Sequence, residues 1–304
     1  MPAAFPEMFE SRVRTLIQDE QLAPWLDGIP ELDTQVIEVG SGSASESNLI
    51  HIPITTFRPG VLVNNTTYPI ALVSYDDTSM TVQLDKYQTK VTTLTDDQMN
   101  GSSYAQIDSV TKSHRDDIVE AKFAKAIHAL APQTTVANET FVIQCTGDEV
   151  TPGGRRKMLW KDLVNARRLM NASKCKKKGR RIVLSDDHVN DLLEDNSNKY
   201  ADKLADYLSG QLKGQLAGFE VYENVDNPTY TAAGVKRPWG AIPNASDRTA
   251  TVIFHPENIV KKTGLTKQYM SDAESDPQGQ QNKYALRHYF IAVPVMNKYS
   301  GAII

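Results

Sequence analysis

Cysteine is scarce in this chain: its 304 residues carry two, Cys145 and Cys175. Two thiols are too few for a disulfide framework or a four-cysteine zinc site. They read as buried or free thiols in a reducing compartment, and the composition points to a cytoplasmic origin. Long apolar runs are also missing. The longest are strand-sized, well short of the roughly 20 residues needed to cross a bilayer, so no membrane partner is expected. The opening MPAAFPEMFESRVR lacks the basic-then-apolar layout of a signal peptide. Asn-x-Thr/Ser triplets such as Asn65–Thr67 are therefore expected to stay unmodified. No internal repeat is present.

Signatures of chemistry are absent too. The six histidines (His51, His114, His128, His188, His255 and His288) are scattered, with no His-Glu-x-x-His pair. There is no Gly-x-Ser-x-Gly elbow and no Cys-x-x-Cys pair. Ser185-Asp186-Asp187-His188 offers triad residue types, but contiguous residues at a helix start cannot form a triad, and Ser185 reads as an N-cap. Pro152-Gly153-Gly154-Arg155-Arg156 lacks the Lys-Ser/Thr of a phosphate-binding loop. No catalytic residue, cofactor site or metal site is assigned, which leaves an enzyme as the lesser alternative.

Hydrophobic residues at 40% and charged residues at 23% describe a folded, soluble chain, long enough for one large or two modest domains. Its main element runs from Ser103 to Ala131. Tyr104, Ile107, Val110, His114, Ile118, Ala121, Ala124, Ile127 and Leu130 recur at three- and four-residue steps, one buried face of a helix. Ser102 or Ser103 can cap its start, and Pro132 stops it. At 1.5 Å per residue this helix is roughly 44 Å long, either a strut or an ordinary long amphipathic helix.

Ahead of it, Met1–Ser47 reads as an arm, broken by Pro2, Pro6, Pro24 and Pro30 and ending in the flexible run GSGSASES. Its scattered apolar residues (Phe5, Phe9, Leu22, Trp25, Leu26) cannot build a core, so it must lie on something else. Leu49–Leu94 switches to a β pattern. Tyr68–Tyr75 and Met80–Asp85 are strands around an Asp76-Asp77-Thr78-Ser79 turn, with Leu49–Ile54 and Val91–Leu94 as strand-like flanks. An isolated hairpin is marginal in water, so this one needs another surface. Beyond Pro132, strands are predicted at Phe141–Cys145, Arg180–Leu184, Leu216–Tyr222, Thr251–Phe254 and Tyr289–Met296, the last at an edge because of Pro294. Helices are predicted at Lys157–Asn171 and Asp186–Glu194, with short ones at Leu204–Leu208 and before Lys262. The strands and helices are grouped rather than alternating, which gives the class α+β.

Net charge is −4, from 33 basic and 37 acidic residues, which argues against a dedicated nucleic-acid binder. Its distribution is uneven. Between Arg155 and Arg181 twelve Lys or Arg face the single acid Asp162, a net +11 that leaves −15 for the rest. Three readings are open: a solvated helix end favoured by the dipole, contact with an acidic protein surface, or contact with nucleic acid.

The order of features resembles the major capsid protein of tailed bacteriophages, whose fold is named for phage Hong-Kong-97. The resemblance rests on TYPIALVSYDDTSMTVQLDKYQTKVTTLTDDQM (Thr67–Met99) and the helix closing in AIHALAP (Ala126–Pro132). GRRIVLSDDHVNDLLED, GQLKGQLAGFEVYEN, TVIFHPENIV and the terminal RHYFIAVPVMNKYSGAII support it. It implies an N-terminal arm (1–47), an extended β-hairpin loop (48–101), a peripheral domain with the spine helix (102–176 and 249–304) and an axial domain (177–248). It also implies a structural protein that assembles with itself, as pentamers and hexamers, into an icosahedral virion shell built in the host bacterial cytoplasm. Expected partners are a separate scaffolding protein, favoured by the starting Met, a portal, decoration proteins, and packaged DNA held by weak non-specific contacts. Candidate inter-subunit contacts are Tyr75, Asp76, Asp77, Lys86 and Lys90 in the loop, and Arg167, Arg168, Lys174, Lys176, Lys177 and Lys178 in the basic segment. The family's occasional Lys–Asn cross-link does not carry over, since no motif singles out an Asn partner. The rival readings are an encapsulin-type compartment shell and an unrelated α+β enzyme.

Overall fold

The computed structural model of the chain describes residues 23–32, 49–54, 78–95, 105–149, 154–195, 205–206, 211–212, 214–271, 278 and 281–304. Strand β1 (Leu49–Ile54) pairs antiparallel with β2 (Thr78–Gln83), Leu49 opposite Gln83 and Ile54 opposite Thr78. Thr78 and Ser79 are therefore strand residues rather than turn, and β2 takes Leu49–Ile54 as its partner. A single buried residue, Leu84, separates β2 from β3 (Asp85–Gln88), and β4 (Thr92–Thr95) follows. Helix α1 (Ala105–Leu130) has 26 residues, about 39 Å of rise.

The rest of the described residues build two larger sheets and two small strand pairs. In order come β5 (Thr140–Ile143), α2 (Trp160–Ala172), β6 (Arg181–Leu184), α3 (Asp186–Asp195), β7 (Ala205–Asp206) and β8 (Gln211–Leu212). They are followed by β9 (Gln215–Leu216), β10 (Phe219–Glu223), β11 (Thr229–Tyr230), β12 (Arg248–Thr249) and β13 (Thr251–Phe254). A 3-10 turn at Pro256–Asn258 leads into β14 (Ile259–Ser271), then β15 (Gln281–Pro294) and β16 (Ser300–Ile303). One larger sheet has the order β5-β16-β13-β6-β10-β9; the other is β14-β15-β3, with β4 also on β15; the small pairs are β7–β8 and β11–β12.

Alternation in the six-stranded sheet sorts its side chains onto two faces, as the two-residue strand period requires. Phe141, Ile143, Ile182, Leu184, Ile253 and Ile303 meet Leu163, Ala166 and Met170 of α2 and Val189 and Leu192 of α3. Val183, Val252, Phe254, Ala302 and Ile304 face the other way, into a core shared with Ile127 and Leu130 of α1 and with Leu286 and Phe290 of β15. Helices α2 and α3 thus cover one face and α1 helps cover the other.

The segment 23–32 lies in the α1 core, with Trp25 and Leu26 fully buried and the Trp25 ring set edge-on to Phe254. Cations pin its backbone: the Arg181 guanidinium donates to the Trp25 and Asp27 carbonyls, and the Lys262 ammonium to that of Leu32.

Several expectations need correction. Ala205–Asp206 is a strand paired with β8 rather than a helix, and Ile259–Lys262 belongs to β14. Strand β15 is central in its sheet; Pro294 closes it opposite Ile259, where a missing donor costs little. The Ser185 hydroxyl is buried without a hydrogen-bond partner, so it does not cap α3. The buried stripe of α1 runs through His114, Ile118, Val119, Lys122, Phe123, Ala126, Ile127 and Leu130, while Ala121 is exposed. The stripe is wide because the helix packs on β15 along its length and on the six-stranded sheet near its end. Strands β5, β13 and β16 share one sheet with β6 and β10, from both sides of the expected 176/177 and 248/249 divisions.

Candidate interaction surfaces

The predicted contact residues fall in two places. Lys86 and Lys90 are exposed at the root of the β1–β2 extension, where Lys86 stands opposite Tyr289 of β15. With Tyr87, Thr92, His114 and Asp117 they line an open groove of about 680 Å³ between β3–β4 and α1. Its walls are stapled together: Asp85 pairs with Lys125 at 2.7 Å, and the Thr92 hydroxyl lies 2.8 Å from Nε2 of His114. Burial holds His114 below its ordinary pKa against the opposing pull of Asp117, and its ring stands edge-on to Tyr284. Tyr75, Asp76 and Asp77 lie outside the described residues.

The other six cations sit on the opposite layer. Arg167 and Arg168 are on the solvent side of α2, and Lys174, Lys176, Lys177 and Lys178 are on the turn after it, all exposed. This turn is held rigidly. Lys174 (φ 58°) and Gly179 (φ 79°) take left-handed backbone, and the buried Arg180 guanidinium ties the turn from below. Its Nε donates to the Lys176 carbonyl at 2.7 Å, and one Nη to the Cys175 carbonyl at 2.7 Å and to Asn171 at 2.9 Å. Lys176 pairs with Glu257 at 2.6 Å. Among the described residues Lys174, Lys177 and Lys178 have no ion pair. The start of α2 is fixed by buried Asp162, which accepts from the Thr146 amide and hydroxyl and from the Leu159 amide.

Two features escaped the sequence. Lys236 reaches the end of α1, its ammonium donating to the His128 carbonyl at 3.0 Å and the Ala131 carbonyl at 2.7 Å. Burial lowers its pKa to about 8. His128 in turn bonds the Arg237 carbonyl at 2.8 Å and takes the exposed Trp239 ring edge-on. No local pattern marks a lysine that caps a helix more than 100 positions away. The second feature is His188, fully buried with Nδ1 2.7 Å from the Thr251 hydroxyl and Nε2 3.6 Å from the Cys145 sulfur. Burial drives the thiol up to about 12 and the imidazole down to about 4. Both are neutral near pH 7, so the pair packs rather than activates a nucleophile.

Among the described residues no three metal-ligating side chains gather, and no helix is long and apolar enough to cross a membrane. No family model and no curated protein matches the chain. Solved structures do. The capsid structure of cyanophage P-SCSP1u aligns with 90% of this chain and 92% of its own, at 13% identity and a TM-score of 0.58. The mature capsid of bacteriophage PhiM1 aligns with 90% and 91% respectively, also at 13% identity, with a TM-score of 0.56.

The chain has the phage-capsid fold. That is the α+β, Hong-Kong-97-like class expected from the order of features. A virus-like particle from Pyrococcus furiosus shares the capsid fold over 98% of both chains, at 10% identity and a TM-score of 0.54. In the capsid fold of this chain, the two basic groups belong to different layers and do not form one site.

Proposed function

We propose that this protein is the major capsid protein of a tailed double-stranded DNA phage, a structural subunit that assembles with copies of itself into the icosahedral head. The observation that carries the reading is agreement with phage capsid structures across nine-tenths of the chain. The root of a two-stranded extension is stapled to a 26-residue helix. Among the described residues that extension pairs only β1 with β2, and a neighbouring subunit would supply the surface it rests on. We assign α1 with the β14–β15 sheet to the peripheral domain, and the six-stranded sheet with α2 and α3 to the axial domain. The virion is its place of function, assembly takes place in the host cytoplasm, and scaffolding, portal and decoration proteins are its partners. Packaged DNA is met through weak contacts.

Negative-stain imaging and light scattering of the purified protein test this directly: closed shells or ring-shaped capsomers are the expected result. A stable monomer at high concentration, unmoved by a scaffold, would refute it. A second reading, the shell of a protein compartment, is favoured by the end-to-end match to the Pyrococcus furiosus particle. Particles that enclose a protein cargo rather than DNA would select it.

A further inference from the structure

The basic turn has a counterpart on the same chain that it cannot reach. Strand β6 is parallel to β10, β5 is parallel to β16, and β6 and β16 both run antiparallel to β13. Four strands therefore end at one edge of the sheet. The chain leaves β6 there through the exposed Asp186 and Asp187. It leaves β10, in register with β6 at Leu184–Glu223, through the exposed Glu223 and Asp226. Val225 between them is 79% exposed. Among the described residues none of these four acids has an ion pair. The nearby cations Arg155 and Lys157 are engaged by Asp191 and Glu194, Arg248 just ahead of β13 is half-buried, and Arg156 is exposed.

Lys174, Lys176, Lys177 and Lys178 occupy the opposite edge, just before β6 begins. The strand between the two groups is about 13 Å long, more than a Debye length of about 8 Å at physiological salt. One subunit therefore cannot neutralise its own two poles. We propose that neighbouring copies of this chain join head to tail, the basic turn and outer face of α2 on one against the acidic strand-end edge of the next. The inference rests on the shell reading above and names a contact within it. Patches at opposite ends of one body make a heterologous interface, which closes into rings when the rotation allows. The Arg180 bracing suits this role, because a pre-ordered turn loses little freedom on docking. The dipole of α2 accounts for a cation at Lys174 but not for Lys177 and Lys178 beyond its last turn.

Charge reversal tests it. Lys174→Glu/Lys177→Glu/Lys178→Glu and Asp186→Lys/Asp187→Lys/Asp226→Lys should each weaken assembly by about tenfold to a hundredfold, with native melting. One chain carrying all six changes should assemble again. Salt near 0.5 M should weaken the unmodified protein in the same direction. If a reversed variant melts abnormally, the neutral Lys174→Gln/Lys177→Gln/Lys178→Gln chain takes its place, and assembly with unchanged salt dependence overturns the proposal. So does normal assembly of a well-folded reversed variant, or failure of the six-fold swap to recover. Normal assembly with lost binding to a plain DNA duplex overturns it and assigns the turn to nucleic acid. Failure of the unmodified protein to assemble at all removes the shell reading itself, and this contact with it.

Discussion

Acid should destabilise the folded chain well before its carboxylates titrate, because two imidazoles are buried neutral. His188 has its pKa lowered to about 4 by burial, and His288 to about 3 by burial and the nearby Lys122. In both cases the folded pKa lies below the ordinary value of about 6.5. Their contribution is therefore complete above about pH 6.5 and is lost as pH falls from there toward the folded values. At pH 5 the unfolded imidazole has gained its proton over about 1.5 pH units and the folded one has not. At about 1.36 kcal/mol per unit this costs about 2 kcal/mol for each residue, about 4 kcal/mol for the pair. A domain has only about 5–15 kcal/mol to lose. His114 and His128 shift in the same direction through burial and steepen the slope. Asp247 and Glu257, held low by Arg237 and Lys176, lose their contribution only in more acidic solution. Urea unfolding of unassembled protein at about pH 7.5 and about pH 5 measures the difference. His188→Gln and His288→Gln should each remove about 2 kcal/mol of it, whatever they do to stability at neutral pH. A double variant with the full slope of the unmodified protein would refute the reasoning.

Three further outcomes follow from packing. A Cβ at Gly301 would run into the Phe141 ring across the β5–β16 pair, so Gly301→Ala should lower stability by about 1–3 kcal/mol. Adding Phe141→Leu should recover part of that loss in a thermal melt. Lys236→Met leaves the His128 and Ala131 carbonyls unpaired and should cost about 1–3 kcal/mol, with faster amide exchange confined to the last turn of α1. Asp162→Ala removes the acceptor of three hydrogen bonds and should cost about 2–4 kcal/mol. Unchanged melting would mean that the start of α2 is held by its apolar contacts alone.

Elements built from local pattern were readable. The β-branched runs Arg181–Leu184 and Thr251–Phe254 are strands because both faces of that sheet are buried. The buried face of helix α1 is wider than its apolar spacing predicts, and the reason is Lys122. A lysine looks like a solvent residue, yet this one is 2% exposed, with its ammonium 4.6 Å from the Phe123 ring centroid and 4.9 Å from that of Phe290. Strand β14 is hidden in the sequence for a related reason: Lys261, Lys262, Lys267 and Gln268 break the alternation, and Gly264 sits where a Cβ would press on Tyr289. The basic pole was visible as a run of lysines. Its acidic counterpart was not, since Asp186 and Asp187 meet Glu223 and Asp226 only through the parallel pairing of β6 with β10.

The two clamps on α1 explain why its length matters. From the middle of the helix to its last turns, His114 and Lys125 hold β4 and β3, and with them the root of the β1–β2 extension. About one turn beyond Lys125, Lys236 and His128 hold the 231–247 segment that leads into β12 and the six-stranded sheet. Along this whole stretch the helix buries an unbroken stripe from His114 to Leu130, so bending it would open apolar surface at about 25 cal/mol per Å². A load on the extension is therefore delivered to the sheet as a rigid tilt rather than absorbed locally. The two charged poles of that sheet turn with it. In a ring joined through those poles, the pose of one subunit's extension and the angle of its contact with the next are mechanically one variable.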